Sequence, residues 1–383
     1  MSRVQGIQTP VHASVHARGW WAVAGLTLTS VLCTGCYTVS QGIQQAKLIW
    51  KRQPLDTVLA EGTERPERLA KLKVVPRILS FGRERVGLET GKSYTHYIPL
   101  EGTSVTTVVQ AAEKRALRLK TWWFPIVGSQ PYLGYFRRED AQKKRDELKA
   151  EGYDTTLGGV QAFSLLGYFP DPLYSSMVDG NSLPELVELL LHECLHLTLY
   201  VPNHSAFNEN LADFVAKRAT AVFLRENPEG EGNVEDTVRD YEQSYVRTLA
   251  AQSAFKEFLV AAKAELEAFY LAAESDARLR SDDAAFDAAR NAKFDALSER
   301  YLIHMAGREQ GTGYAHAFRK GAFNNAVLLG YSLYEAKQAP FEKAFAAAGK
   351  DVRLFVRNLK SCLEGKHFEN EDALWKKVEE CRG

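Results

Sequence analysis

The sequence predicts an α+β chain that is predominantly helical. Segments rich in Thr, Tyr and Val cluster between residues 93 and 166, where short strands are favoured. From Ser182 onward, apolar residues recur at the 3.6-residue period of buried helix faces. Of the 383 residues, 45% are hydrophobic and 25% charged, a globular balance that excludes a largely disordered protein.

Residues 41–90 read as two helices separated near Gly62–Pro66. Tyr94–Leu100, Ser104–Gln110 and Pro131–Phe136 suit strands, and the charged run Arg137–Glu151 suits the solvated face of a helix. Asp154–Leu166 is a further strand candidate, with Gly158–Gly159 marking a bulge or a close backbone approach. Ser182-Leu-Pro-Glu185 has the capping-box form and opens a helix to about Tyr200, which Pro202–Asn203 ends. A second helix spans about Ala206 to Arg225. Residues 236–275 and 280–306 form two long Ala-rich helices, with Phe255, Phe258, Leu259 and Ala262 as one buried stripe. Shorter helices near 318–337, 340–361 and 369–380 finish the chain. The expected organisation is thus 1–35, an N-terminal α+β region 36–178, a helix pair within 179–230, and a helical region 231–383.

The first 35 residues hold Arg3 and Arg18 and no acid. The apolar run Trp20–Leu32 follows, closed by Thr34–Gly35 and then Cys36. That pattern describes an export signal too short to span a bilayer. Cys36 after small residues resembles the bacterial lipobox, although Cys33 stands where an aliphatic residue is usual. The resemblance implies lipidation at Cys36. Tyr37, with no acid beside the Cys, then implies the periplasmic face of the outer membrane in an organism with two membranes. Lys+Arg and Asp+Glu are both 48, and removing Arg3 and Arg18 leaves 46 against 48, so the lipid itself must anchor the chain. The neutral balance, with no basic stripe, speaks against a nucleic-acid partner. The mean hydropathy of −0.28 excludes a polytopic membrane protein. In an oxidising compartment Cys362 and Cys381 are the plausible disulfide pair, whereas Cys194 reads as a small buried hydrophobe.

Chemistry concentrates in His192-Glu193-Cys194-Leu195-His196. Two His four residues apart lie on one helical face and converge on a point where one Zn²⁺ can bind both. Glu193 is placed to act as general base. Leu186, Val187, Leu189, Leu190, Leu191, Leu195, Leu197 and Leu199 make the helix apolar nearly all round, so its ionisable groups need partners. A catalytic zinc site takes three protein ligands and keeps an open position for water. The following helix, Phe207-Asn208-Glu209-Asn210-Leu211-Ala212-Asp213, offers the missing carboxylate. Asp213 could accept the free ring N–H of a ligating His.

These residues resemble the gluzincins, which pair HExxH with a downstream Asn-Glu helix. The resemblance implies a zincin-like core, one zinc per chain on His192, His196 and Glu209, Glu193 as base, and Asp213 behind a ligand. Twelve residues separate His196 from Glu209, fewer than is usual there. A closer resemblance, to bacterial lipoproteins described as zinc aminopeptidases, covers most of the mature chain. It is carried by Gly35-Cys36-Tyr37, Trp123-Phe124-Pro125, Gly134-Tyr135-Phe136, Glu151-Gly152-Tyr153-Asp154, Gly159-Val160-Gln161-Ala162-Phe163-Ser164, the HECLH helix, Phe207-Asn208-Glu209, Asn324-Asn325-Ala326 and Tyr334. Many members have Ala in place of Cys194.

The expectation is a membrane-anchored zinc peptidase of the cell envelope, an aminopeptidase before an endopeptidase, with peptide as substrate. Tyr334 leads Tyr331, Tyr168 and His204 as donor to the developing oxyanion. Substrate main chain is expected along the Gly158–Ser164 strand, at Gly159, Val160 and Ala162. Two alternatives stand beside this. One is a non-catalytic envelope lipoprotein with a structural zinc, His204 serving as fourth ligand. The other is a zinc amidohydrolase or endopeptidase of different specificity.

Overall fold

The computed structural model describes residues 37, 41–44, 46–124, 128–160, 170–227, 234–305, 314–319, 321–332 and 339–381. Of these, 67% are helical and 10% lie in strands, which settles the fold as α+β and predominantly helical. Cys36, Ala162, Tyr168 and Tyr334 lie outside the described residues.

Strand β1 (Gln53–Pro54) leads into helices α1 (Leu55–Glu61) and α2 (Pro66–Phe81), and α2 loosens into a π turn at Gly82–Val86. Gly62 ends α1 in the left-handed region at φ 63°, where a side chain is strained, and Pro66 starts α2 where its missing N–H costs nothing. Six strands and one helix follow: β2 (His96–Ile98), β3 (Thr106–Ala112), β4 (Trp122–Phe124), β5 (Gly128–Gln130), β6 (Leu133–Tyr135), α3 (Arg138–Ala150) and β7 (Asp154–Val160). β8 (Leu173–Tyr174) and α4 (Ser175–Asp179) lead to the helix pair α5 (Leu183–Thr198) and α6 (Ser205–Glu226). The remaining helices are α7 (Val234–Ser275), α8 (Ala277–Ser281), α9 (Asp283–Met305), α10 (Asn325–Ser332), α11 (Ala339–Ala347), α12 (Val352–Leu363) and α13 (Glu371–Glu380).

The strands form three small sheets rather than one. β2 lies between β1, antiparallel, and β8, parallel; β3 lies between β6 and β7, both antiparallel; β4 and β5 form a hairpin. The β4–β5 hairpin has no counterpart in the strands expected from sequence, because three-residue strands carry too little pattern to register. Pairing of β3 with β7 runs unbroken from Thr106 opposite Val160 to Ala112 opposite Asp154, so Gly158–Gly159 makes no bulge there. Gly159 instead marks a close approach, since a Cβ built on it would meet Ser104 at 3.3 Å. The expected helix over 340–361 is two helices, because Gly349 and Lys350 turn the chain at φ 65° and 60°.

Three cores hold these elements together. The largest packs α1 and α2 against α5 and α6 and recruits α11, α12 and α13 from the end of the chain. The second joins α7, α9 and α10 through Phe255, Phe258, Leu259 and Ala262, all buried as their spacing implies. The third lies under β3, β6 and α3. Cys362 and Cys381 form a disulfide that ties α12 to the end of α13, and Cys194 is a buried free thiol.

A buried polar knot connects the β3–β7 sheet to the helices. Asp154 pairs with Arg290, and its carboxylate also accepts the Asn325 N–H at 2.9 Å. Tyr270 donates to Asn325 Oδ1 at 2.8 Å, and Asn325 Nδ2 donates to the Glu113 carbonyl at 2.8 Å. Both Asp154 and Arg290 are under 10% exposed, so each is the other's substitute for water. Asp154→Ala therefore strands a buried guanidinium and should lower stability by about 3–5 kcal/mol. Urea denaturation of the variant, with unchanged helix content before the transition, checks this value.

Candidate active site

α5 begins where its sequence says it should. The Glu185 carboxylate accepts hydrogen bonds from the backbone N–H and the hydroxyl of Ser182, both at 2.7 Å. Leu186, Val187, Leu190, Leu191, Cys194 and Leu195 are buried, while His192, Glu193 and His196 share the remaining face. Thr198 ends the helix by donating to the Cys194 carbonyl at 2.7 Å.

The link to α6 is short and tightly specified. Asn203 adopts φ 66°, a left-handed conformation that Asn tolerates better than most side chains. Buried Asn208 donates to the Val201 carbonyl at 2.8 Å and accepts from the Val201 N–H at 2.9 Å. That reciprocal pair fixes the register of α6 against the turn. Glu209, the next residue, is thereby delivered to the two imidazoles despite the short connection.

The resulting cluster comprises His192, His196 and Glu209. His192 Nε2 and His196 Nε2 lie 3.1 Å apart. Glu209 places one carboxylate oxygen 3.2 Å from His192 Nε2 and the other 3.4 Å from His196 Nε2. Donors bound tetrahedrally at 2.0–2.1 Å to one zinc stand about 3.3 Å from each other. Two imidazole nitrogens near that spacing, each facing one oxygen of the same carboxylate, are a donor set of the kind that holds a divalent cation. Behind it, Asp213 Oδ1 lies 3.0 Å from His192 Nδ1, the geometry that fixes the tautomer leaving Nε2 free to ligate. His196 Nδ1 is buried without a hydrogen-bond partner among the described residues.

The electrostatics follow from this crowding. Burial opposes charge on His192, yet the hydrogen bonds its ring donates to Asp213 and Glu209 outweigh it and raise its pKa to about 10. Burial would raise Glu209, but the two imidazoles hold it well below the ordinary carboxylate range. Asp213 is likewise lowered, its bond to His192 and the nearby Lys217 overcoming burial. Glu193 goes the other way: burial raises it, and Glu209 and Asp171 add to that, against the two histidines. A carboxyl pushed upward beside a cation site is suited to accepting a proton.

The other expected residues separate. Tyr331 packs on Phe255 and Tyr314 in the second core, a structural position. His204 stands at the start of α6, buried, with Nε2 3.3 Å from the Phe368 carbonyl, and it is not in the cluster. Gly159 and Val160 lie on β7, an edge strand of its sheet whose helical neighbours are α3 and α10. Two residues near the cluster were assigned no role from the sequence. Half-exposed Tyr200 lies one turn beyond His196, with ring centroids 6.3 Å apart. Tyr132, before β6, is raised by burial and by its nearness to Tyr200 and Glu209. Tyr200 was legible as the i+4 neighbour of His196, whereas Tyr132 arrives only through tertiary structure.

Within a helical chain with small sheets, the structure thus brings two histidines and a glutamate together on one antiparallel helix pair. The comparison with known families is specific: residues 36–374 match the model of the family described as "Putative aminopeptidase", and the chain belongs to that family. No curated protein and no solved structure matches the chain.

The raised His192 gives a pH prediction. Because its folded-state pKa exceeds 6.5, the stability it contributes without metal is complete below pH 6.5 and is lost as pH rises through about 10. Histidine NMR on metal-free protein should show one ring titrating near that upper value, and thermal unfolding should weaken over the same window.

Proposed function

We propose that this aminopeptidase-family chain is a zinc-dependent peptidase anchored to the cell envelope through lipid on Cys36. The observation that carries the catalytic reading is the cluster itself, two imidazole nitrogens 3.1 Å apart that each face an oxygen of Glu209 at 3.2 or 3.4 Å, with Glu193 next to the first histidine. His192, His196 and Glu209 would hold one zinc. When bound, it supplies Lewis acidity to the scissile carbonyl and lowers the pKa of water. Glu193 takes the proton of the attacking water and returns it to the leaving amine. Asp213 keeps His192 in the tautomer whose Nε2 is free. Tyr200, whose ring centroid lies 6.3 Å from that of His196, and Tyr132, whose titration Glu209 perturbs, join Tyr334 as candidates to steady the developing oxyanion.

Three donors favour this reading over a structural zinc. A closed structural site needs a fourth protein ligand, and His204, which would supply it, faces the Phe368 carbonyl instead. The family description is what favours release of terminal residues over internal cleavage. The anchor reading rests on the acid-free segment before Cys36; Tyr37, next to that Cys, donates to the Gly134 carbonyl at 2.5 Å.

Three measurements test the proposal. Glu193→Gln should keep zinc while hydrolysis of aminoacyl and peptide substrates falls at least about 10²-fold; activity retained would remove Glu193 from the mechanism. Glu209→Ala should lose zinc nearly as completely as His192→Ala, whereas Asp213→Ala should weaken binding by about 10–100-fold. Competition with a chromophoric chelator distinguishes those two outcomes. Cys36→Ser should release the protein from membranes or block its processing, as fractionation and intact mass would show.

A further inference from the structure

Beyond Asp213 the ionic contacts continue. Lys217, one turn further along α6, has a side chain only 8% exposed. Its Nζ lies 3.8 Å from Asp213 Oδ2 and 3.9 Å from Glu188 Oε1. The Tyr245 ring covers it, with the ammonium 5.0 Å from the ring centroid. Glu188 stands one turn before His192 on α5, and its other oxygen accepts the Tyr241 hydroxyl of α7 at 2.5 Å. The chain of contacts therefore runs His192, Asp213, Lys217, Glu188, Tyr241, across three helices.

A lysine is rarely buried to this degree unless it is paired, and here one cation faces two carboxylates. Both acids would otherwise repel across the space it fills. Glu188 is held by Tyr241 and its side chain is 25% exposed, whereas that of Asp213 is 44% exposed, so water can compete for it once a partner is lost. Removing the cation should therefore displace Asp213, the partner on which the His192 tautomer depends. We propose that Lys217 is a positioning residue for the metal centre, its shared charge holding Asp213 against His192 while neutralising Glu188. This rests on the zinc reading above for its consequence, though not for the contact itself.

The test uses the mature full-length chain labelled with ¹⁵N-histidine. In zinc-free wild type, the Nδ1–H proton of His192 should resonate far downfield and vanish in Asp213→Ala. Lys217→Met should shift or lose that resonance, and should weaken zinc binding about tenfold. Adding Glu188→Gln to Lys217→Met removes the unpaired charge, so the resonance should return and zinc affinity should recover to within about threefold of wild type. A packing role for Lys217 predicts no such rescue. The proposal is overturned if Lys217→Met leaves both readouts unchanged, or if the double variant is no better than the single one. Should Lys217→Met fail to fold, the charge-balanced double variant decides alone: a wild-type resonance supports the proposal and its absence refutes it. If wild type binds no zinc, the zinc reading fails, while the resonance, read without metal, still decides the positioning of Asp213.

Discussion

The structure depends on burying ionisable groups inside an apolar helix. α5 is apolar on most of its surface, so α2, α4 and α6 close around it. His192, Glu193 and His196 then sit where water is scarce, and each must find a partner in the protein or in a ligand. α6 answers that demand with Glu209 and Asp213, a turn apart, aimed at opposite nitrogens of one ring. In the absence of a cation, a proton shared between His192 and the two acids fills the same role, which is why the ring's affinity for it rises. A metal bound as proposed would compete with that proton for the same nitrogen. The site is thus held together by charge compensation whichever occupant is present.

That compensation demands accurate register, and the chain provides it locally. One residue of slippage in α6 turns Glu209 by about 100° away from the imidazoles. Asn208 prevents it with two hydrogen bonds to a single residue of the preceding turn, and Asn203 permits the turn to be tight. The short spacing between His196 and Glu209 is therefore a consequence of a specific clamp. α11, α12 and α13 pack on the outer side of the pair, where Phe207 and Phe214 meet Phe341, Phe355 and Trp375. The disulfide that fastens α12 to α13 stiffens this backing.

What was legible in the sequence was whatever is encoded by local spacing. The capping box, the i,i+4 histidines, the Phe255–Ala262 stripe and the acidic pair on α6 all have periods that a helix imposes, and the structure places each accordingly. Contacts across long separations left no such trace. Nothing in the Trp122–Gln130 segment announces a hairpin, and nothing near Tyr132 places it beside Glu209. The Gly158–Gly159 pair shows the intermediate case. Its spacing signalled a constraint correctly, but only the pairing with β3 distinguishes a close approach to Ser104 from a bulge.

The same distinction separates the two halves of the site. The half that carries the cluster, His192, Glu193, His196 and Glu209, comes from two helices adjacent in sequence and follows from helical geometry alone. The supporting half does not. Glu188 and Lys217 occupy i−4 and i+4 positions to His192 and Asp213, so each is locally spaced for its neighbour, yet their meeting requires α5 and α6 to be packed antiparallel at one register. Tyr241 completes the set only because α7 folds back over that pair. A charge that is costly to bury is tolerated here because three helices converge to balance it. The long α7 thus meets the charges behind the cluster through the Tyr241 phenol, which donates to Glu188. Its packing and the ligand geometry are two aspects of one electrostatic arrangement.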